Sequence, residues 1–198
     1  MKIVKYLSKV DKAKCIGDKL CEKICPSQAI QVVNKKAVVD ESKCVACGRC
    51  EDICKNGAAC LVPRPEPKVI FCDLSDVDED KIKEICRKAH IYPMQFVCPC
   101  TGTLAEEVAG AIIKGAKSLE EVTIMTGARS GCGMYCHGPI LRLLHAAGVE
   151  VQEPKDHRWY DLSLSIWDIS KEMGKKYSSY YIDEDKEALF KKRTMDKL

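Results

Sequence analysis

Two cysteine runs constrain this chain more than any other feature. Cys44-x2-Cys47-x2-Cys50-x3-Cys54 is regular, and 29 residues before it stands "CIGDKLCEKICP", Cys15 to Pro26. That earlier stretch is the same run with Asp18 at the place that the shift assigns to Cys47. The shift also carries Lys14 to Lys43, Glu22 to Glu51, Ile24 to Ile53 and Ala29 to Ala58. A repeat of this kind is an internal duplication, to be recognised before anything else is inferred.

The chain of 198 residues holds fourteen cysteines, eight of them between Cys15 and Cys60. Cys72 and Cys86 are scattered, and Cys98, Cys100, Cys132 and Cys136 form a late set. The N-terminal stretch "MKIVKYLSKVDKAKC" has no continuous apolar core and no small-residue cleavage site, so the expected location is the cytoplasm. In a reducing compartment, thiols bunched at two- and three-residue gaps are metal ligands rather than a disulfide scaffold. The net charge of +3 is too small to argue for nucleic acid, and no apolar run approaches the ~20 residues that span a bilayer.

"VPRPEPKV", Val62 to Val69, with three prolines, reads as a semi-rigid linker closing an N-terminal domain at residues 1–62. Within that domain, Ala29 to Asp40 reads as a hairpin of two Val-rich runs about Asn34-Lys35-Lys36. Residues 63–95 then form a linker and helical connector, with acidic residues first and basic residues last between Asp76 and His90. In residues 96–148, Leu104, Val108 and Ile112 mark one helix face, and Gly115 is placed to end that helix. Ser118 and Glu121 make a capping box for a second helix, which Gly127 closes. Pro139 suits the first turn of a third helix, stopped by Gly148. The extension 149–198 is polar but carries Trp159, Tyr160, Trp167, Tyr177, Tyr180 and Tyr181, which points to packing on this chain or on a partner. A helix is expected near Asp183 to Lys192. The fold class is α+β.

The regular run is the ligand pattern of a cubane iron–sulfur cluster. On it the chain resembles the bacterial-type dicluster ferredoxin family over roughly Met1 to Val62, with seven of the eight ligand cysteines in place. The resemblance implies two short hairpins, two short helices and crossed ligation. One [4Fe–4S] cluster would take Cys44, Cys47, Cys50 and Cys25. The other would take Cys15, Cys21 and Cys54, with Asp18 at its fourth corner. Asp18 has three readings: a carboxylate ligand of a [4Fe–4S] cluster, the open corner of a [3Fe–4S] cluster, or a solvated loop residue. Lys55 replaces the proline that usually follows the last cysteine, a mild departure because that proline binds no iron.

For Cys98, Cys100, Cys132 and Cys136, spacing alone allows a structural zinc or a [2Fe–2S] cluster. The surrounding text, "VCPC", "GAKS" and "TGARSGCG", resembles the BFD-like [2Fe–2S]-binding domain, a small all-α module, over about Phe96 to Gly148. Three residues separate the last cysteine pair where that family has two, and His137 is a substitute donor to weigh against an exposed loop histidine. Gly131 and Gly133 are expected to let backbone amides approach the cluster. Cys60, Cys72 and Cys86 are read as small buried hydrophobes. By resemblance, the chain is the non-catalytic electron-transfer subunit of an oxidoreductase, in a hetero-oligomer with a flavin-containing dehydrogenase subunit. The competing readings are a freely diffusing ferredoxin and a metal- or cluster-delivery protein.

Overall fold

In the computed structural model, which describes residues 2–152 and 164–193, the sequence duplication is also a duplication of backbone. Helices α1 (Leu20–Ile24) and α2 (Arg49–Ile53) each follow a residue in the left-handed region, Lys19 (φ 63°) and Gly48 (φ 81°). Each ends at a cysteine, Cys25 or Cys54, whose N–H donates to the carbonyl of Glu22 or Glu51. Upstream, Cys15 N–H donates to the Asp11 carbonyl at 3.1 Å and Cys44 N–H to the Asp40 carbonyl at 3.2 Å. Glu22 and Glu51 both reach the next strand, accepting from Val32 N–H (2.8 Å) and Leu61 N–H (3.3 Å).

Strands β2 (Ile30–Val33) and β3 (Lys36–Val39) form the expected hairpin. Asn34 and Lys35, both at positive φ, make its two-residue turn. The other strand pair is not local. Strand β1 (Lys2–Val10) pairs antiparallel with β4 (Ala59–Ile70), from Lys2 opposite Ile70 to Val10 opposite Ala59. The expected linker at Val62 to Val69 is therefore strand. Proline is tolerated because β4 lies at a sheet edge. Leu61 N–H points away from β1 to Glu51, and Pro63, two residues on, needs no partner on that outer side. Pro65 and Pro67 fall where the register shifts. Cys60, expected to be buried, faces solvent on this edge strand, next to buried Ala59.

The second half packs helix on helix. In α3 (Glu79–Lys88) the Asp78 carboxylate caps the first turn, accepting from Asp80 N–H at 3.0 Å. Helix α4 (Ala105–Ile113) is buried beyond its expected face, through Ala109, Gly110 and Ala111, because α3, α5 and α6 all pack on it. A methyl on Gly110 would collide with the Leu74 side chain. In α5 (Leu119–Thr126) Ser118 Oγ accepts from Glu121 N–H as expected, but the Glu121 carboxylate reaches Lys117 N–H, one residue early. Helix α6 (His137–Ala146) carries Pro139 in its first turn. Leu119, Val122, Ile140, Leu143 and Leu144 are fully buried among them, each contributing roughly 1.5–3 kcal/mol. Cys72 and Cys86 lie in this core, as expected. The module is not purely helical: β5 (Phe96–Cys98) and β6 (Thr103–Leu104) form a small hairpin at its start.

In the extension, α7 (Lys171–Lys176) precedes α8 (Ile182–Arg193). The Trp167 ring stacks on His90 at 4.8 Å, and the Asp168 carboxylate accepts from Arg142 at 3.1 Å. Ser165 N–H and Arg142 together pull the Asp168 carboxyl down to about 2. The extension thus packs on this chain through Trp167, while Tyr177, Tyr180 and Tyr181 stay exposed. Trp159 and Tyr160 lie outside the described residues. Among the described residues no helix is long and apolar enough to cross a membrane.

Candidate metal centres

Eleven of the fourteen cysteines gather, with Asp18, into three sets. Cys15, Asp18, Cys21 and Cys54 line one cavity. Cys25, Cys44, Cys47 and Cys50 line a second, beside Ser8 and Ser27. Cys25 and Cys54 have changed places relative to the sequence runs. Helices α1 and α2 pack on each other, so the residue after each helix reaches the other's loop.

Backbone amides are already aimed at the sulfurs. Ala29 N–H donates to Cys25 Sγ at 3.2 Å and Ala58 N–H to Cys54 Sγ at 3.3 Å, again related by the duplication. Ala37 N–H donates to Cys15 Sγ at 3.4 Å. Donors of this kind favour a thiolate. Burial opposes them: it pushes Cys50 up to about 11 and raises Cys21 and Cys47. A bound iron centre reverses that balance by supplying positive charge at the sulfurs. The residues present therefore fit iron–sulfur clusters in both cavities.

Asp18 is exposed at the rim of the first cavity. One carboxylate oxygen accepts from Leu20 N–H at 3.1 Å, satisfying the first amide of α1. The charge lies close enough to add to the burial that raises Cys21, while Cys54 is lowered overall by the Ala59, Ala58 and Asn56 amides against burial and Asp18. The side chain thus has a structural contact and a place at the cavity, so it is not a solvated loop residue remote from the site.

The late set is brought together by two loops. Cys98 ends β5 and Cys100 sits in the β5–β6 turn, whereas Cys132 and Cys136 flank the segment that enters α6. The thiols pair across the loops. Cys136 hydrogen-bonds Cys98, which pulls Cys98 down to about 5 and holds the Cys136 proton in place. Cys100 hydrogen-bonds Cys132, whose thiol is lowered first by the Met134 and Tyr135 amides. Two pairs, one thiol of each pair from each loop, form a donor set suited to two irons. Among the described residues no group of His, Cys, Asp or Glu is arranged to hold a single metal ion.

The extra residue before Cys136 is taken up in a turn that exposes Met134 and Tyr135, leaving Cys136 only 1% exposed. His137 is not an exposed loop residue. It is partly buried at the start of α6, with Nδ1 3.4 Å from the Gly133 carbonyl, and burial lowers its pKa. A methyl on Gly131 would collide with Cys100, and one on Gly133, at φ 68°, with the Arg49 guanidinium. Ser8, whose Oγ lies 3.1 Å from Cys50 Sγ, and Arg49, Arg129 and Lys2 at the late loops carry no sequence signal of their own.

Residues 7–55 match the family model of a 4Fe-4S dicluster domain, and residues 96–146 match that of the BFD-like [2Fe-2S] binding domain. No curated protein and no solved structure matches the chain. The chain carries a 4Fe-4S dicluster domain followed by a BFD-like [2Fe-2S] binding domain.

Proposed function

We propose that this chain is the iron–sulfur subunit of an oxidoreductase, passing electrons between a flavin-containing dehydrogenase subunit and an external acceptor in the cytoplasm. The observation that carries the reading is the sorting of twelve candidate ligands into three sets, with Cys25 and Cys54 exchanged between the runs. In this reading Cys25, Cys44, Cys47 and Cys50 hold one [4Fe–4S] cluster. Cys15, Cys21 and Cys54 hold the other, with Asp18 at its fourth corner, ligating iron or leaving a [3Fe–4S] form. Cys98, Cys100, Cys132 and Cys136 hold a [2Fe–2S] cluster. Such clusters supply one-electron chemistry when bound, and the chain orients the thiolates and supplies their amide donors. Two kinds of centre on one chain suit a flavin partner, whose two electrons must leave one at a time.

Iron and sulfide analysis with electron paramagnetic resonance on anaerobically purified protein tests this. About ten irons per chain are expected with Asp18 ligating, or about nine with an open corner. Zinc, or fewer than two kinds of cluster signal, sinks the reading. A flavoprotein at fixed stoichiometry in the purified complex supports the assigned partner, and an isolated chain that reduces unrelated enzymes refutes it. Asp18→Cys is expected to give a stable [4Fe–4S] form with a changed potential. An unchanged cluster type and potential would show that the carboxylate only caps α1.

A further inference from the structure

Three basic side chains meet where the Cys25–Cys44–Cys47–Cys50 cavity abuts the late cysteine loops. Arg49, on α2 between Cys47 and Cys50, extends to the loop after α5, where its Nη2 donates to the carbonyls of Arg129 (2.9 Å) and Gly131 (2.7 Å). Lys2, at the start of β1, donates from Nζ to the Val45 carbonyl (2.9 Å) and to Ser130 Oγ (2.6 Å). Arg129 runs the opposite way, donating from Nη1 to the carbonyl of Pro26 (3.0 Å), the residue after Cys25.

The three charges are not equivalent. Arg129 is paired with Glu120 at 3.2 Å, and both side chains are buried, so that charge is largely offset. Among the described residues, neither Arg49 nor Lys2 is paired with a carboxylate. Both sit between two groups of thiols. Lys2 feels Cys47 and Cys44 on one side and Cys98 on the other, while Arg49 acts on Cys47 and bonds the carbonyl next to Cys132. Two positive charges without acidic partners, placed at a seam between sites that become anionic as thiolates, are counter-charges to both sites at once. The Cys15–Asp18–Cys21–Cys54 cavity is lined by none of these residues.

We propose that Arg49 and Lys2 are positioning residues shared by the two adjoining cysteine sites, raising the reduction potentials of both together and making the Cys25–Cys44–Cys47–Cys50 site the junction between the two domains. This rests on the electron-transfer reading above. The step served moves one electron between neighbouring sites: one is oxidised as the other is reduced, and no bond or proton changes place. A cation between them favours the electron on either side, and the low dielectric of a packed seam strengthens that effect.

The test is a redox titration of the full chain, purified anaerobically and followed by electron paramagnetic resonance. Asp18→Cys identifies the signal of the remote site. In Arg49→Gln the reduction equilibria of the [2Fe–2S] signal and of the adjoining [4Fe–4S] signal are expected to fall together by about tenfold, or about 59 mV for each one-electron couple. The remote site should move less, and Arg49→Lys should recover most of the shift. Unshifted potentials with full iron content, or a shift confined to one site, overturn the proposal. If Arg49→Gln loses iron, Lys2→Gln must show the paired shift, and its absence is equally decisive. Absence of clusters from the wild-type chain would instead refute the electron-transfer reading itself.

Discussion

Glu120→Met is expected to destabilise the chain by roughly 3–5 kcal/mol, the usual cost of stripping a buried charge of its partner. Glu120 and Arg129 are almost fully buried, and their charged atoms lie 3.2 Å apart. Burial lowers the Arg129 pKa, and the neighbouring Glu120 opposes that shift. Arg129 Nη1 serves both Glu120 and the Pro26 carbonyl, while Nε has no hydrogen-bond partner among the described residues. Without Glu120 the guanidinium keeps its charge but little to offset it. Methionine fills similar volume, so the loss reports charge rather than a cavity. Denaturant unfolding of anaerobic protein measures it. The double variant Glu120→Met with Arg129→Met should recover a good part of the loss, since a buried pair replaced by apolar side chains of similar size is often near neutral. A loss below about 1 kcal/mol in the single variant would show that Arg129 is held by its carbonyl contact alone.

Cys136→Ser is expected to abolish the [2Fe–2S] signal and remove about two irons per chain, leaving the dicluster signals in place. Serine keeps the shape, but its oxygen is a harder donor than thiolate. Cys136 is buried at the entry to α6 and hydrogen-bonded to Cys98, despite the longer gap that precedes it. Cys86→Ala is the contrasting variant: that thiol is fully buried among apolar side chains, where burial pushes it up to about 12. Its removal should cost about 1 kcal/mol and leave every cluster signal intact. Survival of the [2Fe–2S] signal in Cys136→Ser, with its loss in His137→Ala, would transfer the ligand role to His137.

Local chemistry wrote much of this fold where it can be read. Ser118 announces a helix start because a short side-chain oxygen satisfies a first-turn amide, and it does so. Asn34 and Lys35 turn the hairpin within four residues of chain. Beyond Val62 the strand that runs on to Ile70 is hidden in the sequence because its prolines argue for a linker, and only the distant β1 makes that stretch an edge strand. Cys60 was misjudged with it, since which face of β4 is covered depends on that partner.

By itself, the sequence determined that this chain gathers thiols. The two-residue gaps, the 29-residue repeat and the cysteines bracketing a helix pair are local or periodic facts, legible without coordinates. The substitution at Asp18 was equally legible, because a duplication supplies its own reference. The tertiary structure decided which distant residues lie beside those thiols. Ser8 reaches Cys50 across β1, Arg129 reaches Pro26 from the other domain, and Arg49 and Lys2 face the late cysteine loops with no acidic partner. The physical reason is that a contact between residues 103 apart in the chain, such as Arg129 with Pro26, carries no local propensity. Packing creates it, and a single arginine in a glycine-rich loop reads the same in the sequence whether it faces water or a neighbouring domain.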